Sequence, residues 1–129
     1  MNILQQNNIF LYKEMNKRVE NMEYKIINES EAPQPVKDWL NKNKYKEDYA
    51  VIHTEKHTFI LITRGEKKTG GYGLELTKLE KQDNKIAVFV EYTDPKPDQV
   101  VIQVVTYPYL IVKLEKTDEE LIVFIQKKE

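Results

Sequence analysis

From Tyr49 onward the sequence is a succession of seven short runs rich in β-branched and aromatic residues. They read YAVIHT, TFILIT, YGLELTKLE, KIAVFVEY, VVIQVVTY, YLIVKLE and ELIVFIQK, separated by polar segments such as EKH, GEKKTGG, KQDN, TDPKPDQ and KTDEE. Runs of this length and composition, punctuated by turn residues at near-regular spacing, predict strands joined by short connections. The chain is thereby confined to a mainly β fold. Antiparallel hairpins packed as a β-sandwich or a strongly curved sheet are the expected arrangement. In KIAVFVEY both alternating faces are largely apolar, which predicts a central strand. TDPKPDQ holds Pro95 and Pro97, which cannot donate ladder bonds, and reads as a loop.

One short α-helix interrupts the pattern. In SEAPQPVKDWLNKNKYK, Ser30 and the prolines Pro33 and Pro35 suit a helix start, and Val36, Trp39 and Leu40 share one face at i, i+3, i+4 spacing. The predicted helix spans residues 34 to 44, with Trp39 and Leu40 as core contacts to the sheet. Before it, Tyr24 and Ile26 alternate with charged residues as in a strand. Residues 1–21 are polar apart from a few apolar positions and read as a flexible arm or an edge strand. With no repeat and no low-complexity linker, the 129 residues read as a single domain, long enough to bury a core.

Charge narrows the partners. The net charge is -1, and among 20 cationic side chains only Arg18 and Arg64 are arginines. Lysines interleave with acids, leaving no basic face, so a nucleic-acid partner is not expected. No cysteine is present, which removes disulfides, thiolate metal sites and a cysteine nucleophile. No stretch approaches the roughly 18 to 20 apolar residues of a membrane-spanning helix, so membrane insertion is not expected. The N-terminus lacks the pattern of a secretory leader. Met1 as the native start implies a cytoplasmic protein; a removed leader implies export.

All four glycines, Gly65, Gly70, Gly71 and Gly73, fall in GEKKTGGYG. Every other turn is built without glycine, so this loop needs positive φ or a close backbone approach that the others do not. Tyr72 follows the pair Gly70-Gly71 and carries both apolar area and a polar tip, the combination favoured at interfaces. Two readings stand: a tight hairpin whose Tyr72 packs on the next strand, or a binding loop. A second element, Tyr107-Pro108-Tyr109, interrupts a strand-like run with a proline and marks an edge, a bulge or a strand entry.

These elements resemble the C-terminal domain of the PrcB family, subunits of a protease complex. The resemblance is carried by Gly65, Thr69, Gly70, Gly71 and Tyr72 in the loop and by Tyr107, Pro108 and Tyr109, and it covers a β core over residues 48 to 115. It implies a non-catalytic, protein-binding accessory or stabilising subunit, with a protein partner such as a protease. It also implies an exported or cell-envelope location. The partner-binding residues it implies are Thr69, Gly70, Gly71, Tyr72, Tyr107, Pro108 and Tyr109, with Pro95 to Pro97 as neighbours. The loop is also similar in design to the Thr-Gly-Tyr loop of chagasin-type protease inhibitors. Here Lys67-Lys68 and Gly70 replace that family's residues, and the only tryptophan, Trp39, lies in the helix.

No catalytic constellation is legible. Ser30 is the sole serine and lies far in sequence from His53 and His57. Those histidines flank TEK across a predicted hairpin with no third ligand, so neither a metal nor any other cofactor is expected. Alternatives from other classes are inhibition by insertion of the loop into a protease cleft, and binding of a small ligand or glycan by surface tyrosines. A third is dimerisation through an exposed edge strand.

Overall fold

A computed structural model describes residues 2–5 and 20–128. The fold is mainly β with one α-helix: strands β1 (Asn2–Gln5), β2 (Glu20–Asn21), β3 (Lys25–Ile27), β4 (Glu47–His53), β5 (His57–Arg64), β6 (Gly73–Gln82), β7 (Lys85–Thr93), β8 (Tyr109–Glu115) and β9 (Glu120–Lys127), and helix α1 (Gln34–Asn43). The strands form a five-stranded sheet in the order β1-β9-β7-β6-β2 and a four-stranded sheet in the order β3-β8-β5-β4. Two compact units follow this division. One holds residues 24–74 and 93–117; the other holds 75–92, residues from 118 on, and the described residues before 24. Among the described residues no helix is long and apolar enough to cross a membrane.

The unit of residues 24–74 and 93–117 carries α1 and the four-stranded sheet, which is antiparallel throughout. β4 and β5 form a hairpin running from Glu47↔Arg64 to His53↔Thr58, as EKH between two apolar runs predicts. β5 pairs on its other side with β8 (Thr63↔Tyr109 to His57↔Glu115), and β8 with β3. α1 begins after Pro33, with Pro35 in its first turn where the missing N–H costs nothing. Lys44 N–H closes it on Leu40 O. Val36 and Leu40 bury completely and join Ile27, Ala32, Phe59, Leu61 and Ile111, with Trp39, Ala50, Ile52 and Tyr109 packed against them. Ser30 does not start this helix. It lies in a separate 3-10 turn (Glu29–Glu31) whose cap is Asn28, in a reciprocal capping box with Glu31.

The other unit holds the five-stranded sheet. β7 lies between β9 and β6, as its two apolar faces predict. Ala87, Phe89, Ile122 and Phe124 form a cluster in which the Phe89 and Phe124 rings stack at 4.7 Å. The pairing here departs from antiparallel hairpins. β9 runs parallel to β7 from Lys85↔Glu120 to Tyr92↔Lys127, and β1 runs parallel to β9. The intervening β8 belongs to the four-stranded sheet, so the chain leaves after β7 and returns in the same direction. β1 and β2 lie at the two edges; the rest of the N-terminal arm falls outside the described residues.

VVIQVVTY is not a strand. Residues 94–107 form a loop that carries an isolated bridge between Thr106 and Lys67. Both neighbours of β8 in its sheet are supplied by β5 and β3, so the run that precedes β8 does not form a hairpin with it.

Candidate functional site

The glycine loop leaves the end of β5 and is fastened to the 94–106 loop at several points. Lys67 and Thr106 exchange two backbone bonds, 2.9 and 2.8 Å long. Gly70 N–H donates to Ile102 O at 2.8 Å, and Thr106 Oγ1 donates to Thr69 O at 2.8 Å. Thr69 Oγ1 turns back onto Gly70 O. Thr69 therefore serves the shape of the loop.

The glycines divide by what each position demands. Gly65 and Gly71 have φ of +95° and +93°. A Cβ at Gly65 would sit 3.3 Å from the backbone of Lys46 and Glu47. At Gly71 it would meet Val101 Cγ1 at 2.8 Å and Pro95 Cβ at 2.9 Å, closer than any real Cβ packs. Gly70 lacks positive φ and leaves an ordinary 3.6 Å to Ile102 Cβ, while Gly73 has nothing within 4 Å. Positive φ, expected of the loop as a whole, thus falls on Gly65 and Gly71. The close approach that Gly71 permits is to the chain itself, to Pro95 and Val101.

Tyr72 is half-buried. The Arg64 guanidinium lies 5.3 Å and the Lys67 ammonium 5.4 Å from its ring centroid, each within cation–π range. Arg64 is only 7 % exposed and holds three partners: Gly73 O at 3.0 Å, Thr93 O at 2.8 Å and an ion pair with Asp94. It ties the end of β5 to Gly73, Thr93 and Asp94 within its own unit. Sequence reading passed over Arg64. Its signal was present, since it is one of two arginines in a lysine-rich chain, and arginine is the cation that can hold several acceptors while buried.

Tyr107-Pro108-Tyr109 is a strand entry. Pro108 needs no N–H partner there, and its carbonyl accepts from Arg64 N–H at 3.0 Å, extending the β5–β8 ladder by one bond. The Tyr109 hydroxyl accepts from Glu29 N–H at 2.9 Å while its ring packs on the α1 core. Tyr107 faces outward. Its hydroxyl donates to Glu66 Oε1 at 3.2 Å, its ring meets Tyr45 edge-on at 5.3 Å, and the Lys44 ammonium lies 4.7 Å from its centroid. Desolvation of the phenol, then the bond to Glu66 and the charges of Glu66 and Tyr45, raise its pKa above the ordinary tyrosine value.

Gly70 to Leu74 and Thr106 to Tyr109 line one open cleft of about 360 Å³. The two elements, more than 30 residues apart in sequence, thus meet at a single concave surface. Of the residues read from the sequence, Gly70, Gly71, Tyr72, Tyr107, Pro108 and Tyr109 line it; Thr69 lies behind the wall, and Pro95 packs against Gly71. Gly73, Leu74 and Thr106 are additional lining residues. The histidines lie elsewhere: His53 Nδ1 is 2.9 Å from Thr58 Oγ1, and His57 leans on Phe59. Among the described residues no group of three or more His, Asp or Glu side chains is placed to hold a metal.

No curated protein and no solved structure matches the chain. Residues 58–115, the span that contains both walls of the cleft, match the family model described as PrcB C-terminal.

Proposed function

We propose that this chain is a non-catalytic protein-binding domain of a protease complex, and that the cleft between Gly70–Leu74 and Thr106–Tyr109 is its contact surface. The observation that carries this reading is the convergence of the two family-like elements on one open cleft. The cleft is also preorganised. Its glycine wall is fastened by the Lys67–Thr106 bridge and the Gly70–Ile102 bond, and Tyr72 is backed by the buried Arg64. Aromatic anchors already held in place avoid an ordering cost of roughly 0.5–1.5 kcal/mol per side chain on association. Tyr72 and Tyr107 are the anchors. Tyr109 supports them, because its hydroxyl is committed to Glu29.

The test is capture with wild type, Tyr72→Ala and Tyr107→Ala as baits, read by mass spectrometry. The reading predicts a protease-complex component held by wild type and lost from both variants. Identical catches on all three baits would refute it. Adding the domain to the captured protease then separates two roles. A stabilising subunit prolongs activity without lowering it, whereas an inhibitor lowers it in stoichiometric proportion.

A further inference from the structure

We infer that residues 100–105 extend this cleft into a docking edge for an uncharged, extended segment of the partner protein, held as an added strand. The inference rests on the protein-binding reading of the cleft and specifies the chemistry of what enters it.

The starting observation is an anomaly of exposure. Val100 is 97 % exposed, Ile102 69 %, Val104 52 % and Val105 51 %, four large β-branched side chains within six residues. The other large apolar side chains exposed among the described residues are Tyr24, Ile26 and Tyr45. Contiguous exposed apolar surface of this kind marks interaction sites on soluble proteins. Loops that merely connect favour Gly, Pro, Asn, Asp and Ser, and this one is built of valine and isoleucine.

Position links the stretch to the cleft. Ile102 O accepts from Gly70 N–H, and the same chain reaches the cleft wall at Thr106. The backbone is only partly used. Ile102 O is engaged by Gly70 and Val101 O by the Gln103 side chain, while among the described residues no protein acceptor meets the N–H groups of residues 100–105. A β-prone run with open donors is the template that strand addition uses, with main-chain bonds supplying affinity and alternate side chains supplying specificity.

Charge selects the occupant. Residues 99–112 carry no charged side chain in a chain that is 32% charged. An acidic or basic segment would lose solvation here and gain no ion pair. Size argues against a second copy of this chain as the occupant. A stable dimer needs roughly 800 Å² from each partner, well beyond what four side chains offer. An extended segment meets the requirement differently, by lying along residues 100–105 and continuing into the cleft beside Tyr72.

The test pans a random peptide display library on wild type and on Ile102→Asp and Val104→Asp variants, whose folding is checked by Trp39 fluorescence. The expected winners are uncharged, with β-branched residues at alternate positions. Their affinity falls at least tenfold on either variant, and N-methylation of alternate peptide amides weakens them as much. Three results would overturn the inference: no enrichment over the Val104→Asp bait, enrichment of charged sequences, or indifference to N-methylation. A wild-type dimer dispersed by Val104→Asp in sedimentation would also overturn it, since the occupant would then be a second copy. If the captured complex depends on Tyr72 but not on Ile102 or Val104, the cleft reading stands and this inference falls. If peptides need Ile102 and Val104 while capture is indifferent to Tyr72, the reverse holds.

Discussion

Replacing Gly71 by alanine tests whether the glycine loop is shaped by the chain itself. The backbone there has φ of +93°, where an L side chain costs about 1–2 kcal/mol. The new methyl would lie 2.8 Å from Val101 Cγ1 and 2.9 Å from Pro95 Cβ. Val101 can rotate, but the Pro95 ring cannot, so overpacking adds about 1–2 kcal/mol, within the usual range for such insertions. Reduced freedom of the unfolded chain returns about 0.4–1 kcal/mol. The net loss is about 2–3 kcal/mol. Urea unfolding followed by Trp39 measures it, because Trp39 is the only tryptophan and packs on the core of the unit that contains the loop. With a slope of about 1–3 kcal/mol per molar urea, the midpoint should fall by roughly 1–2 M. Gly73→Ala is the control, since its Cβ meets nothing within 4 Å and its φ is not positive. Its stability should match wild type or exceed it by up to about 1 kcal/mol, through the same loss of freedom in the unfolded chain. A Gly71→Ala variant as stable as wild type, or a Gly73→Ala variant less stable than Gly71→Ala, would refute the packing account and return Gly71 to the partner.

Further outcomes follow from single side chains. Tyr109→Phe strands Glu29 N–H and should lower stability by about 1–2 kcal/mol in the same urea assay. Arg64→Lys cannot reach Gly73 O, Thr93 O and Asp94 together, and a loss of about 2–4 kcal/mol, seen as a lowered melting temperature, is expected. Tyr107 ionises above the ordinary tyrosine value, so the fold favours its protonated form. That contribution is present below about pH 10, the value in the unfolded chain, and is lost as pH rises through the folded value. A tyrosinate absorbance titration, taken as the difference from Tyr107→Phe, should show the raised value. Glu66→Gln should move it part of the way down, leaving the share due to desolvation.

The strands were legible where composition and pairing agreed. TFILIT and YLIVKLE became β5 and β8, and KIAVFVEY became β7, because each has a neighbour on both sides in its sheet. VVIQVVTY has the same composition and is a loop, since propensity describes a residue's fit to a pleated surface and says nothing about whether a neighbouring strand is available. The parallel run of β9 beside β7 was hidden for a related reason. Short connections imply hairpins only while consecutive strands share a sheet, and β8 does not share one with β7 or β9. At the site, the residue types were legible and their roles were not. A glycine chosen for positive φ and one with open space around it look alike in sequence, as Gly71 and Gly73 show. Arg64 escaped because its value lies in three acceptors brought together only by the fold.

These roles separate shape from recognition within one short region. Gly65 and Gly71 set the loop's path against Lys46–Glu47 and against Pro95 and Val101, and Thr69, Pro108 and Tyr109 use their polar groups on the chain itself. Tyr72 and Tyr107 instead present half-buried rings at the cleft, each with a cation near its face. Substitutions in the first group should therefore lower stability and binding together, because a distorted wall both unfolds more easily and fits a partner less well. Replacing the Tyr72 ring should weaken binding far more than it weakens the fold. Its buried neighbour Arg64 keeps its bonds to Gly73, Thr93 and Asp94 when the ring is gone. The ratio of binding loss to stability loss, measured across Gly71→Ala, Tyr109→Phe and Tyr72→Ala, distinguishes a recognition surface from a well-packed turn. In a turn the three variants would lie on one line; at a recognition surface Tyr72→Ala departs from it.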